Sequence, residues 1–264
     1  MLEINRVKKI FLKGTVNERT ALDNVSLTLK EGEFVAVIGG NGSGKSTLLN
    51  CISGVHFPDS GSIKLDGEDI SFLPEYKRSK FIGRVFQDPL KGTAFDMSIE
   101  ENLAIAWYKG RSRNLKPGLT RKDIEVFREK LARLDLGLEN RMKDKAGLLS
   151  GGQRQALTLL MAIMVRPKLL LLDEHTAALD PSTAKKVLQL TRSFVKEEKI
   201  ATLMVTHNMK DALEMCSRIV MMHEGRIVLD ASGEEKENFT VDKLIEKFEE
   251  RSGQTLDNDR MLLA

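Results

Sequence analysis

Aromatic side chains are scarce in this chain, with one Trp and two Tyr among 264 residues. With eleven Phe beside only three Trp or Tyr residues, a platform for stacking unpaired bases is not expected, and no basic run with interleaved aromatics is present. A formal net charge of +3 is too small to argue for nucleic acid as a partner. Cysteine is limited to Cys51 and Cys216, far apart and without C-x-x-C spacing. Each falls in an apolar helical pattern and reads as a buried free thiol in a reducing compartment. Long apolar runs are missing too: the longest lies around Ala156 to Val165, far short of the ~20 residues a membrane span needs. The N-terminal Met1-Leu2-Glu3-Ile4-Asn5 lacks a basic region followed by an apolar one, so no signal peptide is expected.

What is present is more telling. The chain is long enough for one large domain, or for a core domain carrying a smaller insertion. Its most specific stretch is Gly39-Gly40-Asn41-Gly42-Ser43-Gly44-Lys45-Ser46-Thr47, a full match to the G-x-x-x-x-G-K-[ST] phosphate-binding loop. Apolar Phe34-Val35-Ala36-Val37-Ile38 precedes it and Leu48-Leu49-Asn50-Cys51-Ile52 follows, which is the strand–loop–helix context the motif requires. The glycines let backbone N–H groups converge on phosphate oxygens, and a helix starting near Gly44 aims its positive end at the same anion. Lys45 supplies a point charge to the β- and γ-phosphates, Ser46 a hydroxyl to Mg²⁺, and Thr47 a hydroxyl on the α-phosphate side. The length of the match argues against a plain strand-to-helix turn.

Before the loop, residues 2–7 and 25–29 read as strands joined by a polar connection, and Lys30-Glu31-Gly32-Glu33 as a hairpin turn. Phe11 presents a ring either to an adenine face or to the core. After the loop helix come a turn at Pro58-Asp59-Ser60-Gly61 and strands at 62–67 and 82–86, the latter stopped by Gln87-Asp88-Pro89. From Ser98 to about Met142 the period becomes helical, starting at the capping box Ser98-Ile99-Glu100-Glu101. Within it, residues 109–118 form a basic, turn-rich loop, read as a solvated linker in preference to a contact for anionic lipid.

Leu149-Ser150-Gly151-Gly152-Gln153 then opens an apolar helix, and its glycines leave N–H donors for a second anion site. Four leucines, 169–172, lead into Asp173-Glu174, the pattern of a strand buried on both faces. Asp173 is placed to orient Mg²⁺ through its water shell, and Glu174 to act on an attacking water. Ala178-Leu179-Asp180-Pro181 is a turn into a helix over 182–196, and strand 200–206 ends at His207, at the sheet edge where open α/β folds bind ligands. A hairpin over 218–229 turns at Glu224-Gly225, and one amphipathic helix and a polar tail follow from about Thr240.

This ordered set resembles the nucleotide-binding subunit of ABC transporters over about residues 1–230, and the Leu-Ser-Gly-Gly-Gln run is its most specific part. The resemblance implies an α/β P-loop NTPase fold of the ABC ATPase type, with a mixed sheet core, an antiparallel β subdomain and an inserted all-helical subdomain. The implied divisions are an ATPase core with the β subdomain at 1–91, a helical signature subdomain at 92–165, a second part of the core at 166–239 and a C-terminal helix and tail at 240–264. By position, Gln87 corresponds to the Q-loop glutamine that reaches Mg²⁺ and the attacking water, Glu174 to the catalytic base and His207 to the switch histidine on the γ-phosphate. Asp180 corresponds to the D-loop aspartate, and Phe11 to the aromatic that faces adenine. His175 and Gly40 stand where the family usually and often, respectively, has Pro; a packing or D-loop hydrogen-bond role for His175 is preferred over a catalytic one.

The resemblance also implies ATP and Mg²⁺ as ligands and a head-to-tail pairing with a second copy. Lys45 of one subunit and Ser150, Gly151 and Gly152 of the other then share each ATP. Membrane permease subunits and an extracytoplasmic solute-binding protein are the further implied partners, with the chain cytoplasmic and peripheral on the inner face of the membrane. Import is the implied direction, with amino acids as cargo. The alternative is a soluble ABC ATPase acting on ribosomes or DNA, although neither tandem domains nor long heptad segments are visible. A GTPase or small-molecule kinase is disfavoured, because no N-K-x-D guanine-reading motif occurs and the Leu-Ser-Gly-Gly-Gln run would go unexplained.

Overall fold

The computed structural model describes residues 1–110 and 118–252. Most of the basic loop expected at 109–118, and the polar tail after 252, lie outside the described residues. Internal contacts divide the chain into two units, one made of Met1–Arg78 with the chain from Lys199 onward, the other of Ser79–Glu198.

The first unit opens with β1 (Leu2–Phe11), β2 (Arg19–Leu29) and β3 (Phe34–Ile38). Helix α1 (Lys45–Ser53), β4 (Ser60–Leu65), a two-residue β5 (Glu68–Asp69) and α2 (Glu75–Arg78) follow. Antiparallel pairing gives a sheet of order β2-β1-β4-β5. Strands β1 and β2 run longer than their hydrophobic alternation suggests because β1 is bulged. Leu2, Ile4 and Val7 are all buried, and the register shifts between Ile4 and Val7, where Arg6 has φ 45°. The bulge consumes one residue and returns Val7 to the inner face, so strict alternation is lost while pairing continues.

Arg78 is fully buried, which its charge makes costly unless each of its nitrogens finds an acceptor. Nε donates to the Leu73 carbonyl at 2.6 Å, Nη1 to those of Cys51 and Ile52 at 2.7 and 2.8 Å, and Nη2 to that of Ser71 at 2.9 Å. The guanidinium thereby fills carbonyls at the C-terminal end of α1, where the helix itself leaves them open and the dipole is negative. Burial lowers its pKa to about 10. The helix behind the phosphate loop is thus anchored at its far end.

The second unit contains β6 (Ile82–Val85), α3 (Ile99–Trp107), α4 (Arg121–Ala132), α5 (Gly151–Ile163), β7 (Leu169–Asp173) and α6 (Pro181–Glu198). Strands β6 and β7 pair in parallel, and all four leucines of β7 are buried. The capping box at Ser98 and Glu101 forms as expected, and Thr120 and Asp123 make another at the start of α4. An isolated bridge between Ser98 and Lys145 adds a short extended contact to this helical segment.

The chain returns to the first unit with β8 (Ala201–Val205), α7 (Met209–Met215), β9 (Arg218–His223), β10 (Arg226–Ser232), α8 (Gly233–Glu237) and α9 (Val241–Ser252). Here β3 lies parallel to both β8 and β9, and β9 is antiparallel to β10, so the order β10-β9-β3-β8 is a mixed sheet. Strands β3 and β8 are buried along their whole length, as crossover-connected parallel strands are. Cys51 and Cys216 are free and buried. Among the described residues no helix is long and apolar enough to cross a membrane.

Candidate functional site

The phosphate loop is a backbone device held open by its surroundings. At Gly39, φ is 149° and a Cβ would stand 2.2 Å from the Met222 carbonyl oxygen; at Gly44, φ is 105° and a Cβ would stand 2.5 Å from that of Ala21. Only glycine fits either position. Gly44 is the N-cap of α1 and offers no side-chain cap, so the first N–H groups of the helix are left for an anion. Lys45 is 5 % exposed, and its Nζ donates to the carbonyls of Gly39 and Gly40 at 2.7 and 2.9 Å. Ser43 is buried under the loop, while Asn41, Gly42 and Ser46 are exposed and Thr47 is half-buried. Arg19, not singled out in the sequence, reaches over the tip to donate to the Gly42 carbonyl at 3.1 Å. A cavity of about 690 Å³ opens beside that tip, with Lys8, Arg19, Arg226 and Arg251 in its wall.

Phe11 ends β1, half-buried, its ring edge-on to His56 with centroids 5.2 Å apart. His207 follows β8 and is held between a Thr206 turn and the cap of α7, where Asn208 accepts from the Asp211 N–H at 3.0 Å.

In the second unit, Asp173 ends β7 and Glu174 follows it with φ 46°, an uncommon conformation for a residue with a Cβ. The Asp173 carboxylate accepts from Arg84 Nη2 at 3.0 Å. His175, next in the chain, is 2 % exposed and shares a 3.2 Å hydrogen bond with Thr191 Oγ1. Burial pulls its pKa down to about 4, so it is neutral near pH 7 and packs against α6.

Ser150 is the N-cap of α5 and forms a capping box with Gln153, its hydroxyl accepting from the Gln153 N–H at 3.3 Å. The glycines after it have distinct surroundings: Gly151 is exposed, whereas a Cβ on buried Gly152 would meet Thr183 Cγ2 at 1.9 Å. Asp180 caps α6, accepting from Ser182 Oγ at 2.7 Å and the Thr183 N–H at 3.1 Å, and these bonds hold its pKa down at about 2. Gln87 is exposed directly after Phe86, whose carbonyl accepts from Gln155 Nε2 of α5 at 3.1 Å.

The phosphate loop, a self-capped Ser-Gly-Gly helix start and a carboxylate pair at a strand end are the working parts of one known architecture. The family model described as ABC transporter matches residues 22–177, more than half of the chain. The chain belongs to the ABC transporter family.

As an ABC transporter ATP-binding chain, it is an ATPase of the α/β type with a mixed sheet and an antiparallel β subdomain. It is 48 % identical over 249 residues to the tyrosine transport ATP-binding protein of Clostridioides difficile strain R20291, covering 94 % of this chain and 99 % of that one. It is 38 % identical over 259 residues to the methionine import ATP-binding protein MetN of Clostridium tetani, covering 94 % and 76 %. Among solved structures, the dimeric post-hydrolysis cassette MJ0796 bound to ADP and Pi superposes with a TM-score of 0.75 at 30 % identity, over 88 % of this chain and 98 % of that one. CbiO1 from Clostridium perfringens, part of the transporter complex cbiONQ, superposes with a TM-score of 0.74 at 30 % identity, over 95 % and 94 %.

Several contacts of this ABC transporter chain were not read from its sequence. Arg84 interrupts an apolar strand, and a charge in such a strand demands a partner; that was the available signal for its pairing with Asp173. Ser150-x-x-Gln153 fits the capping-box pattern, which the adjacent glycines masked. Nothing local marks Thr183 or Gln155, because both act through long-range packing.

Proposed function

We propose that this chain is the ATP-hydrolysing subunit of an importer whose cargo is an amino acid, and that it works as a head-to-tail pair of identical subunits on the cytoplasmic face of a membrane. The observation that carries the reading is the presence of one phosphate loop and one Ser150-Gly151-Gly152 helix start in the same chain, each with backbone N–H groups left for an anion. Two copies then contribute both halves of two sites. The likeness to tyrosine and methionine transport proteins supports the direction and the cargo class.

In this reading Lys45 and the N–H groups of residues 42–45 hold the β- and γ-phosphates, Ser150, Gly151, Gly152 and Gln153 of the second copy face the γ-phosphate, and Phe11 lies toward adenine. The donor set fits Mg²⁺: Ser46 offers a hydroxyl, Gln87 an amide oxygen and Asp173 a carboxylate, all oxygens and few in number. Bound Mg²⁺ supplies charge neutralisation for the transferring phosphoryl group. Glu174 takes a proton from the attacking water, His207 steadies the γ-phosphate, and Asp180 carries the state of one site to the other. Catalysis rests on positioning and preorganised charge more than on covalent chemistry.

Permease subunits receive the motion and an extracytoplasmic binding protein delivers the solute. The test is purification of the tagged chain from detergent-solubilised membranes. Recovery with a permease, and hydrolysis stimulated by amino acid-loaded binding protein after reconstitution, is the outcome this function requires. Recovery with ribosomes or DNA, and no permease, contradicts it.

A further inference from the structure

Asp173, the carboxylate assigned to orient Mg²⁺, already has a cation of its own. Arg84 on β6 reaches from the neighbouring parallel strand, its Nη2 3.0 Å from Asp173 Oδ2, with the two side chains 12 % and 15 % exposed. The guanidinium also lies over the Phe86 ring, 4.8 Å from Cζ to the centroid, so the aromatic just after the strand flanks it. In a poorly hydrated setting a guanidinium charge is felt far more strongly than in water.

We propose that Arg84 is a resident counter-ion for Asp173, which keeps the carboxylate from taking a divalent cation until nucleotide phosphates bring one. The inference rests on the metal-orienting role proposed for Asp173. Without Arg84, the Asp173 carboxylate would lose the cation 3.0 Å from its Oδ2. With it, a metal approaching Asp173 meets a like charge beside its ligand. ATP phosphates outweigh that repulsion because they add several anionic oxygens, so metal and nucleotide enter together. Arg84 is therefore a positioning residue acting through Asp173.

The experiment is a Mn²⁺ titration followed by electron paramagnetic resonance, on the full chain without nucleotide and saturated with a non-hydrolysable ATP analogue. Arg84→Met, which keeps an unbranched side chain over Phe86, should bind Mn²⁺ roughly tenfold more tightly than the parent in the absence of nucleotide. Arg84→Lys should stay close to the parent, because the charge is retained. Arg84→Gln repeats the charge removal with a polar side chain and covers the case in which Met disturbs folding. Unchanged or weaker Mn²⁺ binding in the charge-removing variants overturns the proposal while leaving the role of Asp173 intact. Parent-like Mn²⁺ binding by Asp173→Asn with the analogue bound removes the metal role itself, and the proposal with it.

Discussion

At the residue scale, Lys45 and Glu174 are set by opposite means. Lys45 is enclosed by carbonyls of its own loop, which hold the ammonium beneath the loop, the place the proposed function gives to phosphate oxygens. Glu174 leaves the strand with a positive φ of 46°, a backbone conformation uncommon for a residue with a Cβ. Glu174→Gln should retain ATP binding and slow hydrolysis by ~10²–10⁴-fold, the usual contribution of a general base, as read by phosphate release; near-parental turnover would remove Glu174 from that role. His175 carries a pH signature of folding. Its folded pKa of about 4 lies below the ordinary 6.5, so its contribution is fully present above pH 6.5 and is lost as the pH falls toward 4. The loss amounts to roughly 3 kcal/mol, and urea midpoints for the parent and His175→Gln should converge over that window as the pH is lowered. The groups proposed to meet phosphate could be picked out in the sequence because each belongs to a short contiguous motif. Arg84, Arg19 and Thr183 could not, because their partners lie 89, 23 and 31 positions away.

At the element scale, α5 is the piece on which most is fastened. Ser150 and Gln153 cap it, and Arg154 donates back to the carbonyls of Ala146, Gly147 and Leu149 at 3.3, 3.1 and 3.0 Å. Gln155 reaches the carbonyl next to Gln87, so the helix start and the glutamine loop belong to one packed body within the second unit. Gly152 faces α6 at the turn capped by Asp180, which explains its smallness by packing in addition to any approach of phosphate. Gly152→Ala should therefore cost ~1–3 kcal/mol in urea unfolding, and Thr183→Ser, which removes the clashing methyl, should restore most of it. A double variant as unstable as Gly152→Ala alone would contradict the packing account. Strand and helix types were visible from periodicity, whereas the full lengths of β1 and β2 were hidden by a bulge that only the register reveals.

At the scale of the whole molecule, the motifs are divided between the two units. The first carries the phosphate loop and His207, the second carries Gln87, the Ser150 helix start and the Asp173-Glu174 pair. Each chain has one phosphate loop and one Ser-Gly-Gly start, and a family relative of known structure is a dimer in its post-hydrolysis state. On the proposed function, nucleotide acts as a bond between subunits as much as a substrate, and closure and release would supply the two states that a permease can follow. The most direct measurement is light scattering on Glu174→Gln, in which the role proposed for Glu174 predicts that hydrolysis no longer limits the closed state. The account predicts a monomer without nucleotide and a dimer at saturating Mg-ATP, with dimer formation lost when Lys45→Ala is added. A Glu174→Gln chain that remains a monomer at saturating Mg-ATP would contradict it.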